Sequence, residues 1–469
     1  MHRYVMDGSG NESYAPRFTW YVFSKANITG LDTLEASQLR AEYVGTDVRV
    51  DASFETSDTI LNRICDIWLR TQTDNMHGGI ASDCPHRERS PYTGDGQVAC
   101  AMVMANYDAA AFYEKWIRDM HDAQDPVTGY VPNSAPWQPG CGGGVGWGAA
   151  ISIIPWEHYL NYGDLSILTD NYDAMKRHTD YMTTWITPQG TMHQRKGALD
   201  SKEPLYWFNL GDWLPPHGLP DDELVHTFFL WMCADYTAKA AAVLGNKEEA
   251  GTYSRLAADT RDAFHHRFYD HDKKSYGDYG SNVFALTMGV PDSVKDDVTA
   301  TLRHEIETDN NSHLNTGICA TRHLVTILAE NGMADLAYKV MTAPGFPGYV
   351  HWLDCVSTTM WENWNGEASH NHPMFGGGLV WLYRELAGIN YDPQRPGYRH
   401  VIVRPRPVDG LEEISYSKAT PYGTVSSTVR NRPEDRSFDV TVPVGSTATV
   451  FVPGASESIE IGQGTHTFN

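Results

Sequence analysis

Between residues 58 and 388 one helix-period segment follows another with no parallel strand between them, and this succession limits the fold more than any other feature of the chain. In "SDTILNRICDIWLRTQTDN", Ile60, Leu61, Ile64, Ile67 and Trp68 recur at helical spacing behind a Ser/Asp cap. The pattern returns over 97 to 119 and 165 to 186, and in "GAAISIIPWEHYLNYG", "DELVHTFFLWMCADYTAKAAAVLG", "KEEAGTYSRLAADTRDAFHHRFY", "PDSVKDDVTATLRHEIE", "GICATRHLVTILAENG" and "MFGGGLVWLYRELAG". Roughly ten to twelve helices in antiparallel hairpins suit a closed helical toroid.

The flanks read differently. Residues 15 to 57 hold short alternating stretches such as "RFTWYVFSKANITG" and "LRAEYVGTDVRVDASFE", which predict strands. After "GINYDPQRPGYRH", the stretches "HVIVRPRP", "ISYSKATPYGTVSSTVR", "FDVTVPVGSTATVFVPG" and "SIEIGQGTHTF" alternate between turn residues, as in a β-sandwich. The expected chain is therefore multidomain and mainly α. It has an N-terminal β-sandwich remnant over 1–57, a helical toroid over 58–395 and a C-terminal β-sandwich over 396–469.

Charge narrows the partners. With 36 basic against 59 acidic residues the net charge is -23, which gives no footprint for a phosphate backbone or an anionic membrane. Nucleic acid is excluded as a partner, and the absence of any apolar run of about 18 residues excludes membrane insertion. The opening "MHRYVMDGSGNESYAPRFTWYVF" has neither part of a secretory signal and reads as mid-domain strand, so the natural N-terminus is expected upstream. A signal there would suit a periplasmic or extracellular protein. The seven cysteines are scattered, with no CxxC pair, which argues against a disulfide framework or a zinc site.

Two loops concentrate the polar chemistry. "SDCPHRERSPYTGDGQ" sets Asp83, Arg87, Glu88 and Asp95 in front of a helix; taken alone, Asp95 could be a cap and the arginines its partners. "STTMWENWNGEASHNHPMFGG" places Glu362 between Trp361 and Trp364 and continues through His370 and His372 to a Gly-rich turn. A carboxylate flanked by indoles suits a base set against a sugar face, although core tryptophans beside a solvated Glu362 would read the same way. His370 and His372 have metal-like spacing but no third ligand nearby, so neither metal nor cofactor is expected. Trp147 in "GCGGGVGWGAA" and Asp212 with Trp213 in "YWFNLGDWLPPHG" add aromatic platforms and a carboxylate on further helix-connecting loops. With 14 Trp and 25 Tyr in the chain, such loops together describe a carbohydrate subsite.

Glycosidic cleavage needs one carboxyl to protonate the leaving oxygen and another to serve as base or nucleophile. Glu88 and Glu362 could divide these tasks. A separation of roughly 6.5 to 9.5 Å admits a water and inverts the anomeric centre, whereas roughly 5 to 5.5 Å means retention.

"DCPHRERSPYTGDGQ" resembles the DCPxRxER...TGDxQ signature of the α-L-rhamnosidases of glycoside hydrolase family 78, and "TTMWENWNG" with "NHPMFGGGLVWLY" resembles that family's TTxWExW and NHxxFG blocks. The resemblance covers most of the chain and implies an (α/α)6 catalytic toroid between β-sandwiches. It implies an exo-acting, inverting enzyme that removes terminal α-L-rhamnosyl residues from rhamnose-containing oligo- or polysaccharides. In that likeness Glu88 is the general acid and Glu362 the general base. Asp83, Arg87 and Asp95 hold the terminal sugar, and Trp147, Asp212, Trp213, Trp364 and His372 wall its pocket. Two positions depart from the family pattern: Tyr92 stands where Trp is usual before TGD, and Ala149 stands where the Gly-Trp-x-Asp-Ala block has an acid. A competing reading is a polysaccharide lyase on a related toroid, cutting a rhamnose-uronate linkage by β-elimination through Arg87, His370 and His372.

Overall fold

Six largely buried segments form a closed ring, and amphipathic helices surround them. The computed structural model describes residues 3–138, 141–193, 210–432, 435–455 and 457–468. A 3₁₀ turn (Ala36–Gln38) and β1 (Ala52–Thr56) precede α1 (Thr59–Asp74), whose cap Asp58 accepts from the Ile60 N–H. Then follow β2 (Met76–His77), β3 (Ile80–Ala81), α2 (Thr93–Asn106), α3 (Ala110–Ala123), α4 (Val145–Gly148), α5 (Ala150–Tyr162) and α6 (Ser166–Thr183). The helical part continues with α7 (Asp222–Val243), α8 (Lys247–Phe268), α9 (Tyr279–Met288), α10 (Asp292–His304), α11 (Ile318–Glu330), α12 (Ala334–Thr342) and α13 (Tyr349–Asp354). It ends in a 3₁₀ segment, Met374–Val380, that runs into a π turn, Leu382–Leu386.

Every residue of α2 is buried, as is all of α5 except Tyr162 and all of α9 except Thr287. A helix apolar all round belongs inside. By contrast α3 buries one stripe, Phe112, Tyr113, Trp116, Ile117 and Met120, and α10 buries only Val298 and Leu302. The inner elements neighbour one another in the order α2, α5, α7, α9, α11 and the 374–386 segment, which packs back on α2. This is the expected (α/α)6 toroid.

Connection lengths orient the ring. The inner-to-outer links are 107–109, 163–165, 244–246, 289–291 and 331–333, short enough to force antiparallel neighbours. At the first of these Tyr107 turns extended and ends α2, so the helix expected over 97 to 119 is two. At the second, Gly163 ends α5 at a φ of 70°, a left-handed conformation that glycine adopts without steric cost. The outer-to-inner links are long: 75–92, 124–144, 184–221, 269–278, 305–317 and 343–373. All long loops therefore gather at the end of the ring where the inner elements begin. The expected sugar-binding stretch from residue 206 lies outside the described residues as far as 209.

The last inner element departs from the α-helix expected there. A Cβ on Gly376 would lie 1.8 Å from Trp68 Nε1, and one on Gly377 2.4 Å from the Val98 carbonyl oxygen. The glycine run lets this segment press against α1 and α2.

Eight further strands follow: β4 (Ile389–Tyr391), β5 (His400–Val403), β6 (Glu413–Thr420), β7 (Gly423–Arg432), β8 (Asp435–Val442), β9 (Thr447–Phe451), β10 (Ser458–Ile461) and β11 (Gly464–Phe468). They form sheets of order β1-β6-β7-β8-β11 and β10-β9-β5-β4, antiparallel except for β5 against β9. Ile414, Tyr416 and Lys418 alternate inward on β6, where the Tyr416 hydroxyl donates to the Ala105 carbonyl at 2.7 Å and Lys418 donates to that of Met104. The C-terminal sheet thus grips the end of α2.

The expectation for the N-terminal flank is corrected. β1 pairs antiparallel with β6, Phe54 opposite Tyr416, and so belongs to the C-terminal sheet. Among the described residues before β1 there is no strand. The segment makes no strand ladder among the described residues, and Val5, Phe18, Phe23 and Val44 stay exposed. It is held by single contacts instead, such as Thr46 N–H to the Met76 carbonyl at 2.7 Å and Trp20 stacked on His77 at 4.5 Å. No helix among the described residues is long and apolar enough to cross a membrane.

Candidate active site

The first loop, 82–92, is closed at its base by Asp83. Its N–H donates to the Ser90 carbonyl at 2.9 Å, and its Oδ1 accepts from the Ser90 N–H at 2.7 Å. The Cys84 thiol lies 3.2 Å from Oδ2. Asp83 is buried while His86 to Arg89 are exposed, so a fixed floor pushes Arg87 and Glu88 outward. Arg89 turns the chain back at a φ of 55° and lays its guanidinium 5.4 Å from the Trp20 ring centre. Burial pushes the Asp83 carboxyl up to about 7, with the charge of His372 opposing. Asp95 occupies the first turn of α2, where a carboxylate is favoured by the helix dipole.

The second loop brings Glu362 to the first. Its N–H donates to the Ser369 carbonyl at 2.8 Å, and the Ser369 N–H returns a bond to Glu362 Oε2 at 2.9 Å. Arg87 Nη1 donates to the same oxygen at 2.8 Å. His372 Nε2 stands 2.7 Å from Asp95 Oδ1, and its Nδ1 3.7 Å from Glu362 Oε2. Arg87, Asp95, Glu362 and His372 are thereby joined through loops that precede two adjacent inner elements, and Asp83 and Glu88 stand on the first of these loops, where Glu88 adds to the rise of the Asp83 carboxyl. For His372, burial alone would lower the imidazole's proton affinity. The Asp95 hydrogen bond and the charges of Asp95, Asp83 and Glu362 outweigh it, and the pKa lies above the ordinary value.

The tryptophans stand behind this cluster. Trp364, 3% exposed, stacks on Trp352 at 4.4 Å and leans on Phe375 at 4.5 Å. Trp361 stacks on His370 at 4.2 Å, and His370 Nε2 contacts the Gly366 carbonyl at 2.7 Å. Trp147, also 3% exposed, packs on Gly94, where a Cβ would come within 2.2 Å of its ring. It therefore lies directly behind Asp95. Trp213 is half-buried, and Ala149 is buried at the start of α5.

Asp212 is a correction. It is 0% exposed, and its two oxygens accept from the backbone N–H groups of Gly317, Cys319 and Ala320 at 2.8, 2.9 and 3.1 Å. The carboxylate caps α11 instead of meeting a sugar, and burial pushes it up to about 7.

A polar network inside the ring was not anticipated from the sequence. Arg322 on α11 donates to the Gln97 carbonyl at 2.9 Å and to Gln97 Oε1 at 2.7 Å, and lies 3.5 Å from Glu157 on α5. Arg384 reaches the same Glu157 at 3.2 Å. Burial alone would raise the Glu157 carboxyl, but the two arginines prevail and hold it below its ordinary range. The available signal was a lone Glu157 in α5 and a lone Arg322 in the otherwise uncharged stretch 318–329 of α11. Gln97 lies one turn or less beyond Asp95 and also contacts the Gly146 carbonyl beside Trp147, at 3.4 Å.

Residues 49–386 match the model of the bacterial α-L-rhamnosidase six-hairpin glycosidase domain, and 388–467 that of the bacterial α-L-rhamnosidase C-terminal domain. The chain belongs to the bacterial α-L-rhamnosidase family. An α-L-rhamnosidase of Formosa agariphila is 29% identical over 91% of this chain and 47% of its own length. One of Streptomyces avermitilis is 30% identical over 96% of this chain and 43% of its own. The chain thus spans about half the length of the curated relatives it matches. Among solved structures, the α-L-rhamnosidase from Dictyoglumus thermophilum superposes with a TM-score of 0.82 at 26% identity, over 90% of this chain and 50% of that one. The Streptomyces avermitilis enzyme complexed with L-rhamnose gives 0.82 at 28% identity, over 90% and 42%.

Proposed function

We propose that this chain is an exo-acting, inverting α-L-rhamnosidase that hydrolyses terminal α-L-rhamnosyl residues of glycans or glycosides. The observation that carries the reading is the convergence of the two glutamate loops: Arg87, next to Glu88 in the chain, donates to Glu362 at 2.8 Å. Family membership and the L-rhamnose bound by the Streptomyces avermitilis protein support it.

In this reading exposed Glu88 delivers a proton to the glycosidic oxygen as the bond to the anomeric carbon breaks. Glu362 removes a proton from the water whose oxygen attacks that carbon from the opposite face. The products are the freed aglycone alcohol and β-rhamnose. Three partners, Arg87, the Ser369 N–H and His372, converge on Glu362 Oε2, so Oε1 is the oxygen assigned to the water. Asp83, Arg87 and Asp95 supply polar contacts to sugar hydroxyls, with Trp213 as an aromatic face. Catalysis belongs to the helical ring, which ends at Leu386 rather than at 395, and the C-terminal sheets, which begin with β4, support it. The lyase reading needs Arg87 and His370 free, and both are engaged, on Glu362 and on Gly366 with Trp361.

The test is incubation with an aryl α-L-rhamnoside and with rhamnose-capped oligosaccharides, following the released anomer by NMR. Initial β-rhamnose supports the reading; initial α-rhamnose overturns inversion, and an unsaturated uronate product overturns hydrolysis.

A further inference from the structure

Each ring nitrogen of buried His372 lies against a carboxylate. Nε2 is 2.7 Å from Asp95 Oδ1 on α2, and Nδ1 is 3.7 Å from Glu362 Oε2 on the loop after α13. A neutral imidazole has one N–H and one lone pair, so it would aim the lone pair at one of these anions. Only the imidazolium puts a proton toward both.

Nδ1 has no hydrogen-bond partner among the described residues, although it is buried. Its direct use is therefore electrostatic, toward the carboxylate in front of it. Asp83 and His86 on the 82–92 loop also act on the ring, and Arg87 bonds the same Glu362 oxygen. His372 consequently sits where α2, the first loop and the Glu362 loop meet.

We propose that His372 is an imidazolium cross-link between Asp95 on α2 and the Glu362 loop, a positioning residue whose loss of a ring proton removes one of the three groups facing Glu362 Oε2 and lowers turnover on the alkaline side. This rests on Glu362 being the general base. The sign follows from the environment: the net effect of Asp95, Asp83 and Glu362 is to raise the ring's proton affinity, so the cross-link is intact in acid and is lost as pH rises through the raised value.

The experiment follows the His372 ring by NMR across pH and records kcat/KM over the same range for the wild type, Asp95→Asn and His372→Gln. In the wild type the ring is expected to titrate above the ordinary imidazole range and where the alkaline limb falls. Asp95→Asn should carry ring and limb together to lower pH by about one unit, because it removes an adjacent opposite charge. His372→Gln should lower kcat and abolish that limb. A ring that titrates at or below the ordinary imidazole value in the wild type overturns the proposal without recourse to any variant. An alkaline limb that stays in place while the ring titration moves in Asp95→Asn also overturns it. A wild type that releases no rhamnose would instead defeat the functional reading, and the ring titration would still decide the charge on His372.

Discussion

Arg87 and Glu362 are 275 positions apart in the chain and 2.8 Å apart in the fold. The contact ties the loop before α2 to the loop before the 374–386 segment, two inner elements that are neighbours in the ring. Both loops lie at the end where all the long connections gather, so this meeting is a consequence of ring closure.

Removing the guanidinium should free Glu362 to swing. Arg87→Ala is expected to lower kcat by roughly 10²-fold, as small misplacements of a reacting group do, while leaving the fold intact because the arginine is largely exposed. Steady-state kinetics with circular dichroism would check it, and an unchanged kcat would remove Arg87 from the positioning of the base.

Glu88→Gln and Glu362→Gln should each cost roughly 10²–10⁴-fold in kcat on a sugar–sugar linkage. The two should separate on an aryl rhamnoside with an acidic leaving group. That substrate needs little protonation, so Glu88→Gln should lose much less there, whereas Glu362→Gln should lose as much on either. Equal losses on both substrates would contradict the assignment of acid and base.

Asp212 bears on stability. Burial raises its carboxyl, and those of Asp83, Glu305 and Glu385, to about 7. These folded values exceed those of the unfolded chain, so the native state holds protons that the unfolded chain has released. Stability from these groups is therefore full below about pH 4 and lost as pH rises toward about 7. Asp212→Asn should flatten the fall of the melting temperature across that window, because an amide does not titrate. A slope identical to wild type would show that Asp212 stays ionised throughout, held by its three N–H donors.

Two glycines predict opposite outcomes. A Cβ on Gly376 meets the buried Trp68 indole, so Gly376→Ala should destabilise by about 1–3 kcal/mol or more through overpacking. Gly251, inside α8, has open space around its Cβ position, and Gly251→Ala should stabilise by about 0.5–1 kcal/mol. Urea titrations of the two variants would show midpoints moving in opposite directions; the same direction would contradict the packing described here.

The inner helices were readable because burial on every side leaves a continuous apolar run, and the outer ones because burial of one face leaves a period. Local pattern could not report partners. The alternation in "RFTWYVF" is the mark of a strand, yet that segment forms no ladder, while "ASFET" found its partner more than 350 residues later. Within the candidate site, the sequence showed two polar loops, one with Asp83, Arg87, Glu88 and Asp95 and one with Glu362, His370 and His372, but their meeting depends on ring closure. Asp212 looked the same in sequence, but its role depends on α11 beginning beside it. A single Glu157 in "IIPWEHYL" or Arg322 in "GICATRHL" reads as incidental until three helices bring them together.

The pairing of β1 with β6 makes the chain circular in effect. The polypeptide leaves the sheet at Thr56, makes the full circuit of helices and re-enters the same sheet at Glu413, so its two ends are stitched side by side. The boundary at which one family module gives way to the next, between 386 and 388, is thus not a seam along which the molecule can be divided. A gene truncated there would encode a ring with an orphan strand at the end opposite its long loops. The same gene nicked in a surface loop of the ring would encode two fragments that the shared sheet could still hold together.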